Sequence, residues 1–261
     1  MEIPVYQLDA FTEKPFAGNP AAVCPLDEWL PDETMQAIAA ENNLSETAFF
    51  VANGAGGYDL RWFTPAAEVD LCGHATLATG ALLLETLTPD ADSVAFETRS
   101  GTLTVGRNGG NLVMDFPALP AEPVDMPDGL VDALGHEPDA FLRAVKNMAV
   151  FADEATVRAI RLDFRYIAAM EGMGLIITAP GDESDCASRY FAPQVGIDED
   201  PVTGSAHCTI VPYWAERLGK TEIHARQVSA RSGDLYCRHL GERVEMGGRA
   251  VMVLSGTIRL S

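Results

Sequence analysis

The sequence predicts an α+β protein built from two similar strand-rich domains, each wrapped around one buried helix. Segments with the same residue order recur half a chain apart, each copy holds one helix read as buried, that of the first copy apolar nearly all round, and short strand-like runs punctuated by Gly and Pro surround it. Arg61-Trp62-Phe63-Thr64-Pro65 returns as Arg189-Tyr190-Phe191-Ala192-Pro193, a shift of 128 residues. An acidic stretch follows in each copy, Glu68-Val69-Asp70 and Asp198-Glu199-Asp200, and then Gly73-His74-Ala75-Thr76 and Gly204-Ser205-Ala206-His207. Arg99-Ser100-Gly101 and Arg231-Ser232-Gly233 keep the order at a shift of 132, and Asp32-Glu33-Thr34-Met35-Gln36-Ala37-Ile38 is echoed by residues 153–160. Ordered agreement at successive stations makes chance the weaker explanation. A repeat this long is a domain rather than a solenoid unit, and two related domains imply a pseudo-twofold axis with a cleft between them.

Taken in order, residues 3–11 alternate and read as a strand, with residues 20–24 as its partner across a Gly18-Asn19-Pro20 turn. Asp32 caps a helix running to about Asn42, with Met35, Ile38 and Ala39 on one face. Residues 47–51 and 58–63 are the next strands, joined through Gly54-Ala55-Gly56-Gly57. The helix that opens near Gly73 carries Ala75, Leu77, Ala78, Ala81, Leu82 and Leu83, and such a helix is usually buried. Strands resume at 93–98, 101–107 and 111–116, with Asn108-Gly109-Gly110 as a hairpin turn. The closely spaced prolines Pro117, Pro120 and Pro123 mark a linker, giving domains 1–117 and 124–261, with the last strand free to return to the first. The second half follows with strands at 149–151, 166–169, 174–178 and between 228 and 259, and with helices from Asp153 and after Gly204.

Composition bounds the function. Lys+Arg 18 against Asp+Glu 38 gives a net charge of −20, which repels nucleic-acid phosphates and anionic headgroups, so neither nucleic acid nor membrane is expected as a partner. No apolar run reaches the roughly 18 residues of a membrane span, and the start lacks a basic segment followed by an apolar one, which points to the cytoplasm. The acidity itself suits a solvated surface and says nothing about a reaction. Five dispersed cysteines without CxxC spacing, and five histidines without an i, i+4 pair, predict neither a disulfide framework nor a metal site.

Three segments carry candidate chemistry. Glu46, between a helix end and an apolar strand, is placed to project into a partly dry cleft where its pKa would rise toward that of a useful acid or base; a solvated loop Glu is the alternative. Asp70-Leu71-Cys72-Gly73-His74 and Asp200-Pro201-Val202-Thr203-Gly204-Ser205 read as turns opening the two buried helices, whose free N–H groups could converge on one carboxylate. His74 and Ser205 could add contacts or relay a proton, and Asp200 could orient or share it; simple capping is the competing explanation. Asn19 sits in an ordinary turn sequence.

Gly18-Asn19-Pro20, Asn43-Leu44-Ser45-Glu46-Thr47-Ala48-Phe49, Arg61–Pro65 with Glu68–Thr76, and Asp200–Ala206 together resemble the signature segments of the phenazine-biosynthesis PhzF-like isomerases, in the same order and over nearly the whole chain. The resemblance implies the diaminopimelate epimerase-like fold, two mostly antiparallel barrel-like sheets each around a central helix. It implies a homodimeric, cofactor-free isomerase that moves a proton at carbon of a small carboxylate substrate, with Glu46 as the proton carrier and His74, Asp200 and Ser205 in support. Gly73, Thr203, Gly204 and Asn19 are then expected to bind the substrate. The epimerase branch of the fold uses two opposed cysteines. Cys72 stands where one would be, but no Cys precedes Gly204, so Cys72 is expected to be structural. An amino-acid epimerase or racemase, and a binding protein without turnover, are the alternative readings.

Overall fold

The computed structural model describes residues 1–54 and 56–260. Ala55, in the expected Gly54–Gly57 connection, and Ser261, the last residue of the expected second domain, lie outside them. The chain divides into two units, Met1–Asp115 with Gly247–Ser261, and Phe116–Met246.

In the first unit, β1 (Glu2–Ala10) is antiparallel to β2 (Asn19–Leu26) on one edge and to β18 (Ala250–Arg259) on the other. β2 is parallel to β3 (Glu46–Ala52), because α1 (Asp32–Asn42) supplies the crossover that parallel pairing needs. β3 is antiparallel to β4 (Tyr58–Phe63), which carries the short β5 (Glu68–Val69) and runs parallel to β6 (Ser93–Thr98). The second crossover is α2 (Gly73–Leu82), and β7 (Gly101–Asn108) and β8 (Asn111–Pro117) close the run as an antiparallel meander. Every residue of α2 from His74 to Leu82 is buried, and β18, β1, β2, β3 and β7 all touch it. The sheet therefore curls around this helix. Close approach depends on Gly80, where a Cβ would stand 2.6 Å from a methyl of Val105 on β7.

The second unit repeats the same succession of strand senses. After β9 (Glu122–Pro123) and α3 (Leu130–Leu134), β10 (Ala140–Arg143) is antiparallel to β11 (Asn147–Val150), which is parallel to β12 (Leu175–Pro180) across α4 (Glu154–Ala159) and α5 (Phe164–Ala169). β12 is antiparallel to β13 (Cys186–Ala192), which carries the short β14 (Ile197–Asp200). β13 is parallel to β15 (Glu222–Gln227) across α6 (Gly204–Leu218), and β15 is antiparallel to β16 (Gly233–His239) before β17 (Arg243–Gly248) carries the chain out of the unit.

The duplication extends to side chains. Arg61 donates from Nε and Nη2 to the two oxygens of Glu68 at 2.7 and 2.8 Å, and Arg189 does the same to Glu199 at 2.8 and 2.9 Å. Each guanidinium also lies over a Phe two residues on, Phe63 at 5.2 Å and Phe191 at 4.8 Å. A paired fork of this kind fixes the short strand that leads into α2 or α6.

Four sequence expectations change, the first being that Asp32 does not cap α1: it is the first residue of the helix, after Pro31, and its carboxylate pairs with Arg61. Gly18-Asn19-Pro20 is not the hairpin turn: Asn19 already pairs with Ala10, and residues 11–18 form the loop, with Phe11 and Phe16 at positive φ. Pro20 is tolerated because the ladder to β3 begins only at Ala21. Residues 166–169, expected as a strand, belong to α5, which Asp163 caps by accepting from the Arg165 N–H and in which Ile167 is the buried residue. The 117–123 segment is not a free connector. Ala118 and Leu119 donate backbone hydrogen bonds to Glu242 and Cys208, and residues 122–123 pair with β10. The Cys208 carbonyl is available because Pro212, four residues on inside α6, has no N–H to donate to it.

Candidate active site

In the first unit the chain turns out of α1 through Asn43, whose left-handed conformation (φ 48°) ends the helix, and enters β3 at Glu46. Glu46 is buried, as is His74 in the first turn of α2. His74 Nε2 stands 3.1 Å from Glu46 Oε2, and Cys72 Sγ stands 3.5 Å from His74 Nδ1. The Glu46–His74 approach lacks the alignment of a hydrogen bond, and neither of the two atoms has another partner. Ser45, beside Glu46, donates to the side-chain oxygen of Asn19 at 3.1 Å, and Asn19 is fully buried at the head of β2. Gly73 opens α2 with no side chain capping the helix.

Burial is the largest influence on both members of the pair, and in both it is outweighed. It pushes the Glu46 carboxyl up, but the charge of His74, with help from Cys72, brings it below its ordinary 4.5. Burial pulls His74 down, while Cys72 and Glu46 together raise it well above 6.5. The sequence expectation of a raised Glu46 is therefore reversed, because a cation partner is built against it. The pair holds one proton between them. Cys72 touches His74, and it is no thiolate: burial first, then the Glu46 charge, pushes its pKa up to about 11 despite its place at a helix start. Glu46, Cys72 and His74 present ligand atoms within 4.8 Å of one another, the one group of metal-ligand type among the described residues. Ligation would require the thiolate that burial disfavours.

In the second unit Asp200 ends β14. Thr203 donates its hydroxyl to Asp200 Oδ2 at 2.5 Å, and Gln227, at the end of β15, clamps both. Gln227 accepts from the Thr203 N–H at 2.8 Å and donates to the Asp200 carbonyl at 2.6 Å. Gly204 opens α6, and Ser205 is exposed on its first turn. His207, fully buried, contacts the Thr203 carbonyl through Nδ1 at 2.7 Å, and burial lowers its pKa to about 4. Sequence reading missed Gln227 and His207. A lone Gln carries no local signal, whereas His207 lies four residues after Thr203, one helical turn, as Thr76 lies after Cys72. Thr76 donates to the Cys72 carbonyl in the matching way.

Glu46, His74 and Cys72 thus form one cluster and Asp200, Thr203 and Gly204 another. The carboxylate is not duplicated. Counting back along the β12–β13 ladder from the Leu175–Phe191 pair, as from Thr47–Phe63 in the first copy, the position of Glu46 is held by Gly174. Its φ is 96°, and a Cβ there would stand 2.5 Å from the Phe191 carbonyl. The second copy has no room for an acid at that station.

A duplicated, mostly antiparallel α+β chain with a buried helix in each copy is the diaminopimelate epimerase-like fold, and the structural comparisons agree. A solved PhzF-family protein from Enterococcus faecalis superposes with a TM-score of 0.97 at 44% identity, covering 100% of both chains. A hydroxyproline epimerase from Agrobacterium vitis shares the fold alone, with a TM-score of 0.61 at 9% identity over 98% of this chain and 92% of that one. The chain belongs to the PhzC-PhzF family, described as phenazine biosynthesis-like proteins, whose family model matches residues 8–256. A Pseudomonas aeruginosa relative named as an uncharacterized isomerase is 52% identical over 260 residues, covering 100% of each.

Proposed function

We propose that this protein is a cofactor-independent isomerase that moves a proton at carbon of a small carboxylate substrate, with Glu46 as the proton carrier. The observation that supports this most is the buried Glu46–His74 pair, 3.1 Å apart, whose facing atoms have no aligned partner. Relatives named as isomerases support the reaction class. In the resting pair Glu46 is a carboxylate held by its neighbour. A substrate C–H that displaces His74 from Glu46 leaves burial as the dominant influence, so the carboxylate becomes a stronger base, and the acid it forms is poised to return the proton elsewhere. His74 stabilises the negative charge that develops on the substrate. In the first unit Gly73 offers backbone N–H groups at the start of α2 and Asn19 holds Ser45 next to Glu46; in the second, Thr203, Gly204 and Ser205 offer N–H and hydroxyl donors suited to a carboxylate, and Asp200 orients Thr203. A homodimer in the cytoplasm is part of the same reading, and no described helix is long and apolar enough to cross a membrane. The racemase alternative requires a second thiol that the second copy lacks before Gly204.

A panel of unsaturated and hydroxylated carboxylic acids incubated with the protein in deuterium oxide tests the proposal by mass spectrometry. Incorporation at carbon is expected with the parent and not with Glu46→Gln. Equal incorporation by that variant would rule out Glu46 as the proton carrier.

A further inference from the structure

Lys146 stands at the turn between β10 and β11 with 8% of its surface exposed. The chain has three lysines, and the other two, Lys14 and Lys220, are ordinary surface residues; Lys220 pairs with Asp185 at 2.5 Å. Among the described residues nothing forms an ion pair or hydrogen bond with the Lys146 ammonium. It faces the ring of Tyr190, 5.6 Å from the centroid. A lysine this buried, its ammonium meeting a ring face and no ion-pair partner at contact distance, is an arrangement completed by an anion.

Its surroundings say where that anion would sit. Tyr190 is the cross-strand partner of Asp200, and Asp200 and Cys208 both lie within electrostatic reach of the ammonium. Cys208, one turn into α6, directs its thiol toward the Gly204 carbonyl. Through Tyr190 the ammonium stands near Asp200, the strand end from which the chain enters α6. Asp200 adds its negative charge from beyond ion-pair distance.

The repeat shows that this cation belongs to one copy alone. On the parallel ladders Asn147 faces Leu175 as Ala22 faces Thr47, so Lys146 holds the station of Ala21, the strand partner of Glu46. Ala21 is fully buried, and the first copy presents only a methyl group at this place. Where the first copy alone has an acid, at Glu46, the second alone has a buried base.

We propose that the Lys146 ammonium and the N–H groups of the first turn of α6, over the face of Tyr190, form a carboxylate-binding site that takes the acid group of the substrate. The proposal rests on the reading of Gly204 as part of the substrate site and adds the residue that supplies the positive charge. Burial lowers the Lys146 pKa, with Cys208 and Asp200 opposing, and a bound carboxylate would reverse the balance.

Protein labelled with ¹⁵N at the lysine Nζ gives three ammonium resonances, assigned by Lys146→Arg. Acetate and L-lactate are titrated in, with acetamide and inorganic phosphate as controls. The Lys146 resonance is expected to move saturably with the carboxylates and not with acetamide, while those of Lys14 and Lys220 stay in place. Lys146→Met should bind L-lactate about tenfold or more weakly, and Lys146→Arg should recover most of that loss. A Lys146 resonance silent to both carboxylates, or unchanged binding by Lys146→Met, overturns the proposal. A response to phosphate alone overturns the carboxylate assignment. A parent that fails to exchange deuterium with any acid but keeps the Lys146 response refutes the proton-transfer reading and leaves this site standing; a silent Lys146 in a protein that exchanges refutes this site alone.

Discussion

Replacing Glu46 by Gln removes one charge from a buried pair while keeping its shape, and the consequence falls first on His74. At 3.1 Å and an effective dielectric of about 20, the attraction between the two charges is about 5 kcal/mol, of the same order as the burial penalty it offsets. In the parent the attraction wins and His74 stays protonated above its ordinary 6.5. In the variant the Glu46 charge is gone and only the Cys72 thiol stands against burial, so the imidazole should titrate well below its value in the parent. Where it discharges, the fold is spared the roughly 3–5 kcal/mol of an unpaired buried charge and the loss of stability is held to about 2 kcal/mol. The pH dependence follows from the signs. His74, raised in the folded state, stabilises fully below 6.5 and loses that contribution as pH climbs through its folded value; Glu46, lowered, stabilises above 4.5 and loses it as pH falls through its folded value. The parent pair therefore stabilises most between 4.5 and 6.5, and the variant, with a lowered His74, loses that stabilisation. Imidazole NMR titration and urea unfolding on either side of 6.5 measure both effects, and proton exchange should fall about 10²–10⁴-fold. A parent His74 that titrates at or below 6.5, or one unchanged in Glu46→Gln, would refute the reasoning.

Two further outcomes follow from the same structure. Arg189→Met removes both bonds to Glu199 and the two that the guanidinium donates to the Val157 and Ile160 carbonyls, so it should lower stability by about 2–4 kcal/mol in urea unfolding; a loss under about 1 kcal/mol would show that the fork does not hold the α6 approach. All five cysteines are buried, with burial pushing the Cys24 thiol to about 12 and those of Cys72 and Cys208 to about 11, so iodoacetamide at neutral pH should label none in the folded protein and all five in urea. Rapid labelling of native Cys72 would instead reveal an available thiolate and revive a thiol mechanism.

The repeat was legible because the residues that carry it do the same local work twice. Arg61 and Arg189 each need a carboxylate at the next short strand, and Gly73 and Gly204 each open a buried helix. Apolar periodicity located α2 and the long strands for the same reason. What stayed hidden depends on partners distant in sequence. The direction of the Glu46 pKa turns on His74, twenty-eight residues away, and no local pattern reports that the two meet. Asn19 read as a turn because Gly-Asn-Pro usually is one, and only the ladder from Ala10 to Asn19 shows it as the first residue of a strand. Residues 166–169 look like strand until the Asp163 cap is seen. Lys146 and Gln227 are single residues whose importance lies wholly in what packs around them.

The pairing of β18 with β1, which joins Arg259 to Glu2 and Ala250 to Ala10, has a consequence for how the chain is made. On a ribosome the second unit is one uninterrupted run, and all of its strands emerge before β18 does. The first unit begins earlier but waits for a strand about 250 positions downstream, and closing so long a loop is entropically slow. During that interval the free edge of β1 is an open template for another strand. Synthesis order and folding order are thus inverted: the half that emerges first is completed last, and it is the half that holds Glu46 and His74.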